Sequence, residues 1–220
     1  MADVKICGVA DDAALDAALR GGARFIGLVF FPKSPRHLSL ERAASLAARA
    51  RGRVEVVAVT VNADDAFLAA LSQTVRPDYL QLHGAESPVR AAAARPFALK
   101  GVIKSLSVAT PADLSEAAAY APVSDWLLFD AKPPPGATLP GGNGAAFDWT
   151  ILKGFKSPRP WLLSGGLDAR NVGRALTASG ASALDVSSGV ESAPGVKDPG
   201  EILAFLAAAG ANPEAKPSNS

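Results

Sequence analysis

Short apolar runs alternate with alanine-rich amphipathic stretches along almost the whole chain. The apolar runs lie at residues 4–7, 25–30, 55–61, 79–82, 98–104, 126–130, 161–164 and 183–186. Most are apolar on both faces, the pattern of parallel strands covered from both sides rather than of strands with one wet face. The stretches between them, 12–20, 40–51, 64–74, 88–94, 111–120, 148–152, 169–178 and 199–208, predict helices. Several carry their own boundary signals. Ser39 stands where a hydroxyl can cap the second helix. Thr110-Pro111 puts a capping hydroxyl before a first-turn proline, with Asp113 in that turn. Gly180 and Gly210 fall where a left-handed helix stop belongs.

Eight strand–helix units in 220 residues leave about 27 residues for each. Parallel strands with helical crossovers form either an open doubly wound sheet or a closed barrel. No boundary splits the eight units, and the glycine-rich turn that marks a dinucleotide-binding open sheet is absent after the first run, where the chain reads Cys7-Gly8-Val9-Ala10-Asp11. The pattern therefore predicts an α/β fold, a single-domain (β/α)8 TIM barrel over residues 1–211. Residues 212–220, NPEAKPSNS, are polar with two prolines and predict a flexible C-terminal tail. The longest irregular stretch, 132–147 (KPPPGATLPGGNGAAF), follows Asp130 and is expected to overhang the catalytic face.

Composition changes this picture little but narrows the function. Hydrophobic residues are 49% and charged residues 20%, an ordinary globular balance. Twenty-two basic and twenty-one acidic side chains give a formal charge of +1, which offers no electrostatic case for a nucleic-acid or acidic-membrane partner. No run approaches the roughly 18 apolar residues of a membrane-spanning helix. The first residues, MADVKICG, do not read as a signal peptide, so a cytoplasmic location is expected. One cysteine and two histidines leave little for a metal site, and none is expected.

In such a barrel the residues just past the C-terminal ends of the strands face the active site. That rule selects Cys7 and Gly8, Ser34, Arg36 and His37, His83, Asp130, Gly165 and Gly166, and residues 185–191. Gly165-Gly166 and Ser187-Ser188-Gly189 are turn dipeptides taken singly; together, after the last two strands, they form the best phosphate-binding candidate. Cys7 is either a small buried hydrophobe or, with a pKa brought toward neutrality, a general base. Asp130 does not lead promptly into a helix it could cap, and an enclosed carboxyl group can serve as a general acid. A thiol and a carboxyl group facing each other would suit a proton-shuttling isomerisation. Arg36 is either a surface residue or a planar fork for a substrate carboxylate. His83 reads better as a hydrogen-bonded structural histidine than as a catalyst. Asp185 could accept a sugar hydroxyl or anchor the phosphate loop.

The set KICG (5–8), GLVFFPKSPRHLS (27–39), LQLHG (80–84), LFDAK (128–132), GGNGAAFDW (141–149), LSGGLDARNV (163–172) and LDVSSGVES (184–192) resembles the phosphoribosylanthranilate isomerase family of tryptophan biosynthesis. The segments span nearly the whole chain, with Asn143 where the family pattern has a hydroxyl. The resemblance implies a barrel without a cofactor that performs an Amadori rearrangement of a small phosphosugar. It implies catalytic roles for Cys7 as base and Asp130 as acid. Arg36 would meet the anthranilate carboxylate and Asp185 would lie near the sugar hydroxyls. Gly165, Gly166, Ser188 and Gly189 would hold the phosphate. A histidine-pathway aminoaldose isomerase, which uses two aspartates, is disfavoured by the cysteine; a metal-dependent pentose-phosphate epimerase is disfavoured by the shortage of histidine. A catalytically silent phosphosugar scaffold remains the reading from another class, and the oligomeric state stays open between monomer and homodimer.

Overall fold

The computed structural model describes residues 1–132, 136, 141 and 146–211. Most of the proline- and glycine-rich stretch after Asp130, Asn143 within it, and the tail 212–220 lie outside the described residues. The chain runs β1 (Asp3–Cys7), α1 (Asp12–Arg20), β2 (Phe25–Phe30), α2 (Leu40–Ala50), β3 (Glu55–Thr60), α3 (Asp65–Thr74), β4 (Tyr79–Leu82) and α4 (Pro88–Ala94). It continues with β5 (Gly101–Val108), α5 (Ala117–Tyr120), β6 (Trp126–Ala131), β7 (Trp161–Leu163), α6 (Val172–Ser179) and β8 (Ala183–Val186). A short hairpin, β9 (Glu191–Ala193) and β10 (Val196–Lys197), precedes α7 (Pro199–Ala208). Strands β1 to β8 are parallel and close into a barrel, with β8 pairing back onto β1. This is the (β/α)8 architecture that the alternation of runs predicts.

The boundary signals act as expected. Ser39 Oγ accepts the Arg42 N–H at 3.2 Å. Asp113 reaches back to the Thr110 N–H at 2.7 Å. Gly180 ends α6 with φ +73°. Four elements depart from the sequence reading. The fifth strand begins at Gly101 rather than residue 98, because a 3-10 turn at Arg95–Phe97 takes up the chain before it and Leu99 is exposed. The stretch 111–120 opens as a 3-10 segment, Pro111–Glu116, before α5. Residues 148–152 are too short for more than the 3-10 turn Trp149–Leu152. Helix α6 starts at Val172, because the Asp168 side chain accepts the N–H groups of Arg170 (2.8 Å) and Asn171 (3.0 Å) and holds a turn there instead. The β9–β10 hairpin was not predicted.

Strand parity sorts the side chains into two cores. Val4, Ile6, Ile26, Leu28, Leu80 and Phe129 face outward and pack under the helices. Cys7, Phe25, Val29, Val57, Val59, Ile103, Leu128, Leu162 and Ala183 form a separate cluster on the inward parity. Alternate positions on the same strands place Lys5, Gln81, Asp130, Ser164 and Asp185 on that inward side. At the end opposite the strand C-termini, Phe25 plugs the barrel. Its ring meets Tyr79 and Trp126 edge-on at 6.0 and 5.6 Å, and the Arg24 guanidinium lies 4.9 Å from its centroid. Truncating a buried phenylalanine costs about 3–5 kcal/mol. Phe25→Ala should therefore lower the urea-unfolding free energy by about that much. Turnover per folded molecule should stay near wild type, because the plug is remote from the strand C-termini.

Candidate active site

The strand C-termini surround an open-mouthed cavity. Cys7, Arg36, Asp130, Gly165, Gly166, Asp185 and Ser188 line it, as do Ser34 and His83. Gly189 does not line it. A Cβ there would overlap the Leu167 carbonyl oxygen, so Gly189 lets the loops after β7 and β8 touch. His37 lies apart, its backbone bridged to Val29.

The floor is an ion pair that sequence reasoning missed. Lys5 Nζ lies 2.7 Å from Asp185 Oδ1, both essentially without solvent contact. Ser164 Oγ donates to the other carboxylate oxygen at 3.2 Å. Asp185 thus ties β1, β8 and the end of β7 together. Burial alone would lower the Lys5 ammonium, but Asp185 and Cys7 beside it reverse the sign and hold it above its ordinary value. Period-two parity would have found Lys5, since it precedes Cys7 by two on the same inward face.

Cys7 is buried and is the free cysteine of the chain. Burial pushes its thiol up, and Asp185 of β8 adds to the rise; Lys5 of β1 and Lys197 of β10 pull the other way without reversing it. Arg36, after β2, also faces it electrostatically. Asp130 Oδ1 accepts the Ala131 N–H at 2.9 Å, and Oδ2 lies 3.4 Å from His83 Nε2. The His83 Nδ1 is 2.9 Å from the Gln81 amide nitrogen. With that amide donating, Nδ1 accepts and Nε2 carries the hydrogen that faces Asp130. Gly141 seats directly on this pair: a Cβ there would stand 2.7 Å from Asp130 Oδ2 and closer still to His83.

Gly165 and Gly166 adopt φ +93° and +64°, conformations that favour glycine, and they turn the chain over the cavity. Asn171 Nδ2 donates to the Gly166 carbonyl at 2.8 Å and fixes that turn. Ser188–Val190 form the short 3-10 turn facing it. Arg36 is buried, and its fork is already engaged: Nε and Nη2 donate to the two oxygens of Glu191 at 2.7 and 2.8 Å. Among the described residues, no group of three or more His, Cys, Asp or Glu could hold a metal ion. No helix among them is long and apolar enough to cross a membrane.

With burial dominant, the thiolate ultraviolet absorbance of the ligand-free protein should titrate with a midpoint above the ordinary cysteine value of about 8.5. As the only cysteine in the chain, Cys7 gives an unambiguous signal. A midpoint at or below that of a free cysteine would mean that Lys5 and Lys197 outweigh burial.

Comparison with known proteins places this geometry. The family model for N-(5'-phosphoribosyl)anthranilate isomerase matches residues 4–208. An N-(5'-phosphoribosyl)anthranilate isomerase of Rhodopseudomonas palustris is 57% identical over 208 residues, covering 94% of this chain and 95% of that one. The solved isomerase of Thermotoga maritima superposes with a TM-score of 0.85 at 33% identity, over 96% of this chain and 99% of its own. A phosphoribosylanthranilate isomerase solved in complex with reduced 1-(o-carboxyphenylamino)-1-deoxyribulose 5-phosphate gives 0.82 at 31% identity over the same shares. Closed barrel, inward thiol and carboxyl group, and near full-length similarity agree: the chain is an isomerase and belongs to the N-(5'-phosphoribosyl)anthranilate isomerase family.

Proposed function

We propose that this chain converts N-(5-phosphoribosyl)anthranilate to 1-(2-carboxyphenylamino)-1-deoxyribulose 5-phosphate, with Asp130 as general acid and Cys7 as general base. The observation that carries the assignment of roles is that both groups line one cavity, beside the glycine turn after β7 and the serines after β8. Gly165, Gly166 and Ser188 would hold the phosphate, with Gly189 allowing the two loops to approach. Arg36 would address the anthranilate carboxylate, and Asp185 would lie near the sugar hydroxyls.

Asp130 gives its proton to the furanose ring oxygen as the C1′–O bond breaks and the anthranilate nitrogen lone pair forms C1′=N. The product is a cationic Schiff base. Cys7, as thiolate, takes the proton from C2′, and the C–H electron pair moves to form C1′=C2′ while the C1′=N pair returns to nitrogen. The enolamine then loses its 2′-hydroxyl proton and gains one at C1′, giving the ketone with no net proton change. The raised thiol fits this order. A thiol held protonated by burial becomes acidic when a cation forms beside it and gives its proton to solvent, so ring opening prepares the base for the second step.

We further read residues 1–211 as one domain that works in the cytoplasm on a small phosphosugar, without a nucleic-acid or membrane partner. Its assembly is monomer or homodimer; the Thermotoga maritima isomerase is described as dimeric, with monomers generated from it.

Loss of phosphoribosylanthranilate fluorescence on adding purified protein tests the reaction. Asp130→Asn and Cys7→Ser should each lower kcat by about a hundredfold or more, since positioned proton transfer contributes roughly 10²–10⁴. KM should move less. Near-full turnover in either variant would remove that residue from its role. In crystals soaked with inorganic phosphate, the anion should sit beside Gly166 and Ser188; density only elsewhere on the surface would count against the phosphate assignment.

A further inference from the structure

Gln81 lies in β4 and His83 just past its end, and neither has a part in the reaction written above. Gln81 stands between Val59 of β3 and Ile103 of β5, its partners in register, and both belong to the inward apolar cluster. It is wholly buried, and its Oε1 has no hydrogen-bond partner among the described residues. Packing alone would favour an aliphatic side chain there, because a buried acceptor without a donor is destabilising. The other end of the amide is used: Nε2 donates to His83 Nδ1 at 2.9 Å. His83 Nε2 then faces Asp130 Oδ2 at 3.4 Å. The backbone that carries the ring is held on both sides. Lys104 Nζ donates to the Leu82 and Gly84 carbonyls at 3.3 and 2.7 Å, and the His83 N–H donates to the Thr60 carbonyl at 2.9 Å.

We propose that Gln81 is a positioning residue that fixes the hydrogen of His83 on Nε2, so that His83 donates to Asp130 as that carboxyl group gives up its proton. The proposal rests on the assignment of Asp130 as general acid and deepens it. Asp130 Oδ1 already accepts the Ala131 N–H, which leaves Oδ2 as the oxygen that presents the proton. While Oδ2 is protonated it is a weak acceptor, and a 3.4 Å contact suits that state. When the proton passes to the furanose oxygen, Oδ2 becomes a carboxylate oxygen, and a hydrogen bond to it shortens and strengthens. The contact is then stronger in the transition state than before it, which is the kind of interaction that raises kcat. The other neutral tautomer would set an Nε2 lone pair against that developing charge. A free imidazole exchanges between the two forms, and a donor fixed at Nδ1 selects the productive one.

Nitrogen NMR reads the tautomer directly, because protonated and unprotonated ring nitrogens resonate far apart. The chain has two histidines, His37 and His83, so His83→Leu assigns the signals. Above about pH 8, where an ordinary imidazole is neutral, His83 should carry its hydrogen on Nε2. Gln81→Glu replaces the donor with an acceptor and should move the hydrogen to Nδ1. Its kcat should fall about tenfold, the loss of one hydrogen bond to a charged group, with KM within about twofold of wild type. Gln81→Met introduces no buried charge and serves if Gln81→Glu does not fold; it should show both tautomers and a smaller fall in kcat. His83→Leu should also lose about tenfold in kcat, and adding Gln81→Met to it should cost nothing further, since Gln81 acts only through His83. A purely structural glutamine would give additive losses. Hydrogen on Nδ1 in the wild type, an unchanged kcat in the Gln81 variants, or additive losses in the double variant would each overturn the proposal. If Asp130→Asn kept its turnover, the acid assignment itself would fail, a result independent of the wild-type tautomer.

Discussion

Lys5 and Asp185 are 180 residues apart in the chain, and their charges meet at 2.7 Å. The register of β1 on β8 places them directly opposite each other, at the seam where the first strand meets the last. Removing an ammonium and a carboxylate from water costs several kcal/mol for each ion, and leaving either one unpaired costs about 3–5 kcal/mol. The pair is therefore satisfied only when the barrel is closed in the correct register. A slip of one residue in either strand would turn its own charge out of the interior with the rest of that strand's inward face and leave the partner unpaired. Ser164 extends the constraint to β7 by donating to the second carboxylate oxygen. The floor of the cavity and the closure of the fold are one interaction.

Charges buried elsewhere in the fold are paired as well. Lys104 and Glu86, both buried, pair at 3.0 Å, and the Glu86 carboxylate also takes the Asn62 and Gly84 N–H groups at 2.7 and 2.9 Å. Burial would raise Glu86, but Lys104 and these N–H groups hold it below the ordinary carboxylate range. Glu191 is held low in the same way by Arg36 and Lys197. Arg36 and Asp185, which line the cavity, are thus each held by a buried partner of opposite charge.

The fold was legible because strand period and helix caps are local. Eight apolar runs and caps such as Ser39 and Gly180 depend on neighbours a few residues away. The elements that were misread are those decided by something distant or very short. A carboxylate at Asp125 takes the Val102 N–H beside Gly101 at the entry of β5, and no pattern within 98–104 announces it. Cys7, Asp130 and the glycine pair were legible from the rule that chemistry sits past the strand ends. Lys5 was not singled out although its parity with Cys7 places it inward, because an inward lysine reads as unfavourable until its partner on β8 is known. Lys197 escaped, and Glu191 was selected only as the last of residues 185–191 without a partner, for a related reason: strands of three and two residues carry no period.

The environment of Cys7 bears on the order in which protons move. A thiolate present before substrate arrived would be a standing anion in an apolar barrel, exposed to oxidation and to unwanted alkylation. Burial suppresses that state, while Lys5 and Lys197 lower its penalty without removing it. The missing stabilisation must then come from the reaction itself. In the proposed reaction, ring opening would create a positive charge on the nitrogen next to C1′, three bonds from the C2′ proton that the thiolate is to remove. That charge acidifies the C2′–H and the thiol together, so the base becomes competent at the step that needs it. In the reaction proposed above, acid chemistry at Asp130 and base chemistry at Cys7 would thus be coupled through the substrate's own charge, with no direct contact between the two side chains required.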